Sequence, residues 1–347
     1  MRAFVLTGPR EFEVQEVETP TAAPGQVVVD VERVGVCGTD VEFFTGEMQY
    51  LTEGHARFPM RLGHEWSGTV ASVGAGVDES WVGHRVTGDT MLGCGVCRRC
   101  RGGHQHVCQD RFEVGIRGGY AGALAEQVAV PATSLHALPE GLDPVAGALV
   151  EPGGNALRCV LGAQLEPGER LLVLGPGTIG LLVALFARAR GAEVHLMGRS
   201  AGSLEFARSL GFEGVWTDDT LPDLPFDAVV DASNAPSLPA RAIELVEPAG
   251  RVVYVGLAGS PSLVDTRALA LADVTAVGVL SASPGLAGTI EHYACGAVDP
   301  RPLVSATVGL DGVGAVLAGV RPTGAGPGPK VHVDPRRWPP SLLPQGH

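Results

Sequence analysis

Arg170-Leu-Leu-Val-Leu-Gly175-Pro-Gly177-Thr-Ile-Gly180 is the stretch on which the reading of this chain turns. Arg170–Leu174 is a buried-strand run, and Thr178–Arg190 carries apolar residues at helical spacing. Between them lies Gly-x-Gly-x-x-Gly. Its first glycine permits a tight turn, and its second lets the backbone approach a pyrophosphate. The third allows close helix–strand packing, while free N–H groups at the helix start receive phosphates. A glycine-rich chain can produce these letters in an ordinary turn. The strand–turn–helix context favours a dinucleotide site formed by Gly175, Gly177, Thr178, Ile179 and Gly180.

The residue that selects the ribose is expected about 20 positions further on, at the end of the next strand. That place reads His195-Leu-Met-Gly-Arg199-Ser200, with no acid before Glu205. A carboxylate would repel a 2′-phosphate, whereas Arg199 can pair with one and Ser200 can donate to it. NADP is therefore expected over NAD. The competing reading is that Arg199 is simply solvated, in a chain that uses arginine for nearly every base.

Outward from the glycine turn, strand and helix signals alternate. Val194–Met197 reads as a strand, Ser203–Leu210 as a helix closed by Gly211, and Asp227–Asp231 and Arg251–Val255 as further strands. Such alternation predicts a parallel sheet flanked by helices. The first 140 residues are different: Phe12–Val17 and Val27–Val31 are short strands punctuated by glycine and proline. Val145–Leu161 reads as a helix joining the two textures. Lys330–Asp334 reads as a last strand, before a proline-rich tail from Pro335.

Composition narrows the classes. The 347 residues carry 38 acids against 25 bases, a formal net charge of −13, and the only lysine is Lys330. No basic block is present, which argues against nucleic acid or an anionic membrane as partner. A single lysine nearly excludes Schiff-base chemistry. No secretory signal or spanning segment is visible, so a cytoplasmic location is expected.

Four of seven cysteines crowd into Cys94-Gly-Val-Cys97-Arg-Arg-Cys100-x7-Cys108. Four thiolates form a closed tetrahedral shell around a structural zinc, and the metal supplies folding energy to a loop too polar to fold itself. Zinc is favoured over an iron–sulfur cluster, because no proline follows the last cysteine and there is no second set. His104 and His106 are read as surface residues, and Cys159 and Cys295 as packing residues. A zinc ribbon in a nucleic-acid-binding protein is the rival, and the acidic total opposes it.

A second constellation consists of Cys37-Gly-Thr39-Asp40, Gly63-His64-Glu65 and Glu151-Pro152. One thiolate, one imidazole and one carboxylate leave a fourth position open, as a catalytic zinc requires. Taken singly, each has an ordinary structural role.

Together these residues resemble the zinc-dependent medium-chain dehydrogenases, the alcohol, polyol and sugar dehydrogenase superfamily. Gly63-His64-Glu65-x-x-Gly68-x5-Gly74-x-x-Val77 matches its zinc signature, and the cysteine lobe and glycine turn follow in its order. The resemblance covers nearly the whole chain. It implies an α/β protein with a GroES-like, β-rich catalytic domain at 1–148 and 297–347. A Rossmann, doubly wound parallel-sheet domain is implied at 149–296, with the active site in the cleft between the domains and a homodimer or homotetramer as the assembly.

Carried over by position, Cys37 and His64 are catalytic-zinc ligands, with Glu65 or Glu151 as the third. Glu151 stands where alcohol dehydrogenases have a cysteine and so resembles polyol and sugar dehydrogenases. Thr39 matches the hydroxyl that takes the substrate's proton, and Asp40 matches the acid that orients the histidine. Glu42 replaces a relay histidine, as in bacterial and archaeal glucose dehydrogenases, so the proton path beyond Thr39 stays open. Gly83-His84-Arg85-Val86 departs from the usual Gly-Asp-Arg-Val and is read as a surface change. The implied reaction passes a hydride between NAD(P) and a secondary alcohol or ketone of a polyol, sugar or cyclitol. An amino-alcohol or aminocyclitol dehydrogenase, similar to threonine dehydrogenase, is the alternative. A zinc-stabilised nucleotide-binding regulatory protein is the non-enzyme one.

Overall fold

The computed structural model describes residues 1–337, so the part of the proline-rich tail beyond Arg337 lies outside the described residues. The chain divides into two compact units. One is built from residues 1–151, 304–326 and the segment from Lys330 on; the other spans 152–303 with 327–329.

The second unit is built on the stretch that decided the reading. Arg170–Leu174 forms the inner strand of a six-stranded sheet whose strands, numbered along the chain, lie in the order 3-2-1-4-5-6. From one edge these are Gly214–Trp216, Glu193–Met197, Arg170–Leu174, Phe226–Asp231, Val246–Tyr254 and Thr275–Gly278, each parallel to its neighbour. A parallel sheet is covered on both faces, and Leu171 to Leu174 are all fully buried. Helix Thr178–Ala189 buries every residue from Gly180 to Ala187. This is the doubly wound α/β arrangement, which reverses strand order beside its first strand.

The first unit is β-rich. Its seven-stranded sheet runs Val304–Val308, Lys330–Val333, Gln26–Gly35, Glu65–Val73, Arg85–Gly88 and Leu135–Ala137, with Gln127–Pro131 also paired to Gln26–Gly35. Alternate residues of the long central strand, Val27, Val29 and Val31, enter one core with Trp66, Phe43 and Val333. Hairpin Arg2–Gly8 with Glu11–Glu16 adds Phe4 and Leu6 to it. The C-terminal strand thus completes a sheet begun near the N-terminus.

The helix expected over Val145–Leu161 is two helices, Pro144–Ala148 and Val150–Ala163. Asp143 caps the first by accepting the Ala146 N–H at 2.8 Å. Pro152 has no N–H to give to the preceding turn, so a helix crossing it must restart, and it sits in the tolerated first turn of the second. Among the described residues no helix is long and apolar enough to cross a membrane.

Two donor clusters and the glycine turn

The sulfurs of Cys94, Cys97, Cys100 and Cys108 all lie within 4.8 Å of one another. Cys97 and Cys100 are 3.5 Å apart, Cys97 and Cys108 3.8 Å, and Cys94 and Cys100 3.9 Å. A tetrahedral shell with zinc–sulfur bonds of about 2.3 Å has sulfur–sulfur edges of about 3.8 Å. None of these cysteines is in a disulfide. The Cys100 N–H donates to the Cys97 sulfur at 3.4 Å, the main reason that thiol falls to about 6. Donor chemistry and spacing both fit zinc. His104 is exposed as expected, but His106 is buried, because the turn Gln105–Val107 carries it inward. Neither imidazole belongs to the four-sulfur set. Cys159 is buried, whereas Cys295 is exposed at the end of helix Leu286–Ala294 and is not a packing residue.

Cys37, His64 and Glu65 form the second cluster, again with donor atoms within 4.8 Å of one another. Cys37 stands just before helix Gly38–Thr45, and its N–H donates to the Asp40 carboxylate at 2.9 Å. His64 immediately precedes and Glu65 opens the strand Glu65–Val73, with Thr90 donating to the His64 carbonyl at 3.2 Å. The other Asp40 oxygen lies 3.6 Å from His64 Nδ1, beyond hydrogen-bond length. Both atoms are buried without a hydrogen-bond partner among the described residues. Burial disfavours an imidazolium here, yet the Asp40 carboxylate and then Cys37 outweigh it and hold His64 well above the usual range. One sulfur, one imidazole and one carboxylate converging this closely fit a divalent cation by their donor chemistry.

Thr39 lies half-buried in the first turn of that helix. Glu42 is on its exposed side, with a carboxyl raised by partial burial and then by Glu47. Glu151 is buried in the first turn of Val150–Ala163 but is not in the converging set.

At the glycine turn, Gly175 has φ +95°, and a Cβ on Gly180 would collide with the Gly175 carbonyl. A Cβ on Gly177, at the helix start, would meet nothing within 4 Å. Backbone conformation thus fixes Gly175 and packing fixes Gly180, while Gly177 leaves the approach to Thr178, Ile179 and Gly180 clear. Arg199 and Ser200 are exposed just beyond strand Glu193–Met197, and Ser200 begins helix Ala201–Ser209.

Comparison with known proteins bears on both halves. The family described as alcohol dehydrogenase GroES-like domain matches residues 23–140, and that described as zinc-binding dehydrogenase matches 178–294. The 2-dehydro-3-deoxy-L-galactonate 5-dehydrogenase of Pseudoalteromonas atlantica is 31% identical over 92% of this chain and 94% of its own. The chain belongs to the zinc-type medium-chain dehydrogenases.

This dehydrogenase is also 34% identical to the L-threonine 3-dehydrogenase of Saccharopolyspora erythraea, over 80% of this chain and 83% of that one. A zinc-binding dehydrogenase structure from Sinorhizobium meliloti, bound to NADP, is similar with a TM-score of 0.86 and 28% identity. It covers 96% of this chain and 99% of that one. An Escherichia coli structure with NADH matches the fold at TM-score 0.88 and 24% identity, covering 96% and 99%. The protein is an NAD(P)-dependent oxidoreductase of the alcohol dehydrogenase type, which removes the non-enzyme alternative.

Two residues at the dehydrogenase's second cluster escaped the sequence reading. Lys330, the chain's one lysine, is buried and donates to both Glu65 oxygens at 2.7 and 2.9 Å and to the Val36 carbonyl at 3.0 Å. Gly35 lies against that carboxylate, and any Cβ there would collide with Glu65 Oε2. The sequence offered one signal, a solitary lysine opening an apolar strand.

Proposed function

We propose that this enzyme interconverts a secondary alcohol and a ketone of a polyhydroxylated small molecule, with Cys37, His64 and one glutamate holding a catalytic zinc. The observation that carries the reading is the convergence of Cys37, His64 and Glu65 from two distant segments onto one buried point. A zinc bound there supplies a Lewis acid that polarises the substrate oxygen. Asp40 fixes the Cys37 backbone and faces His64, so both donors are held before substrate arrives. Thr39, next to them, accepts the hydroxyl proton. Lys330 neutralises Glu65 when that carboxylate is not a ligand, which leaves Glu151 as the alternative third donor. The cysteine lobe holds the second, structural zinc. NADP is the preferred cofactor through Arg199 and Ser200, and the assembly is a homodimer or homotetramer.

The relatives named above act, by name, on a deoxy sugar acid and on a β-hydroxy amino acid, so the amino-alcohol reading remains the second one. A cofactor-reduction screen across sugars, sugar acids, polyols, cyclitols and β-hydroxy amino acids tests both. One of these classes is expected to be oxidised, and Cys37→Ser and His64→Ala to abolish that turnover while cofactor binding persists. Undiminished turnover in either variant contradicts the metal assignment.

A further inference from the structure

Arg111 stands three residues beyond the last lobe cysteine, and its guanidinium is nearly buried. Each of its nitrogens has its own partner, two close by in the chain and one on a distant segment. Nη1 donates to the Cys108 carbonyl at 3.1 Å, Nε to the Glu113 carboxylate at 2.7 Å, and Nη2 to the Tyr50 hydroxyl at 3.0 Å. Tyr50 closes the triangle by donating to the same Glu113 oxygen at 3.1 Å, and Arg117 lies 5.6 Å over its ring. By contrast, Arg98, Arg99 and Arg101 of the lobe are exposed.

Tyr50 lies in the short helix Gln49–Thr52, and the Glu113 side leads back to the second cluster. The Val114 N–H donates to the Thr90 carbonyl at 3.0 Å, and the Thr90 hydroxyl donates to the His64 carbonyl. A buried arginine–glutamate pair contributes little net stability, because desolvation offsets its attraction. What it supplies is position: a planar fork admits one arrangement of three partners, where a lysine admits many.

We propose that Arg111 is a positioning residue that couples the cysteine lobe to the short helix carrying Tyr50, so that an intact lobe sets where that helix lies. The proposal concerns the ends of one hydrogen-bonded chain, from Cys108 through Arg111 to Tyr50. Only its kinetic consequence rests on the function proposed above.

Hydrogen–deuterium exchange of the full chain tests it, read separately over residues 46–55 and 98–108. Cys100→Ser, which removes one lobe thiol, is expected to speed exchange in both segments. Tyr50→Phe is expected to speed 46–55 alone, by about five-fold, the order of one lost hydrogen bond. The double variant is expected to match the faster single variant over 46–55, because both cut the same link. Additive effects, or a Cys100→Ser chain whose lobe opens while 46–55 exchanges as in the wild type, overturn the proposal.

Arg111→Lys decides the matter if Cys100→Ser does not fold. It keeps the charge but not the fork, and 46–55 is expected to exchange faster; unchanged exchange there overturns the coupling. With an oxidised substrate in hand, Tyr50→Phe is expected to raise KM about five-fold with kcat within about two-fold. A loss in kcat alone overturns the positioning role. If no alcohol is turned over, the proposed function fails while the exchange measurements still decide the coupling.

Discussion

Arg199 is proposed to select NADP because this fold imposes a fixed separation between the glycine turn and the ribose site. The side chain is exposed, and no ion pair holds it among the described residues. Arg199→Asp is expected to raise the KM for NADP relative to NAD by ten- to a hundred-fold, the equivalent of about 1.5–3 kcal/mol for one lost charged hydrogen bond. A wild-type enzyme that strongly prefers NAD contradicts this assignment. The four lobe cysteines were legible for a similar reason, since local spacing alone brings them together. Lys330 and Gly35 were not. Lys330 meets Glu65 across 265 positions of sequence, and Gly35 is required only by the carboxylate that presses on it. Contacts of that range follow from strand pairing, which no local pattern records.

The last strand, Lys330–Val333, carries the clearest consequence at the scale of an element. Sequence marked it as a strand, yet not that it would pair with Gln26–Gly35 and Val304–Val308 and bury its polar residues. His332 is fully buried, with neither ring nitrogen hydrogen-bonded among the described residues. Burial, then the charges of Lys330 and Arg33, lower it to about 3 from an ordinary 6.5. Above pH 6.5 the ring is neutral whether folded or unfolded. Between there and about pH 3 only the unfolded chain takes up the proton, so stability falls as pH falls. The loss for this one group is at most about 1.4 kcal/mol per pH unit. Denaturant unfolding at pH 7.5, 6 and 5 should therefore show a shallower acid loss for His332→Leu than for the wild type. Parallel pH dependences would count against a buried neutral His332. The divided helix at Leu149 belongs to this scale too: its apolar pattern was readable, and Pro152 was the overlooked breaker.

For the whole molecule, alternating strand and helix signals were enough to foretell a parallel sheet, because each βα unit carries its own local signature. The β-rich unit was harder, since its sheet is closed by segments from both ends of the chain. Thr275–Gly278 is an edge strand of the parallel sheet, and Leu257, Leu263 and Leu271 are strongly exposed within the same stretch of the second unit. An open edge flanked by bare leucines invites pairing with a second copy about a two-fold axis. Light scattering on the eluting protein should give a dimer or a multiple of one, and Leu263→Asp with Leu271→Asp should shift it toward monomer. A wild type that stays monomeric at micromolar concentration contradicts this surface as the interface. Two separate donor sets lie in one chain, and a count of bound metal tests their proposed roles most directly. Elemental analysis of the purified enzyme should find about two zinc ions per chain, and about one in Cys37→Ser with dehydrogenase activity lost. One zinc in the wild type, or two zincs and full activity in Cys37→Ser, would contradict it.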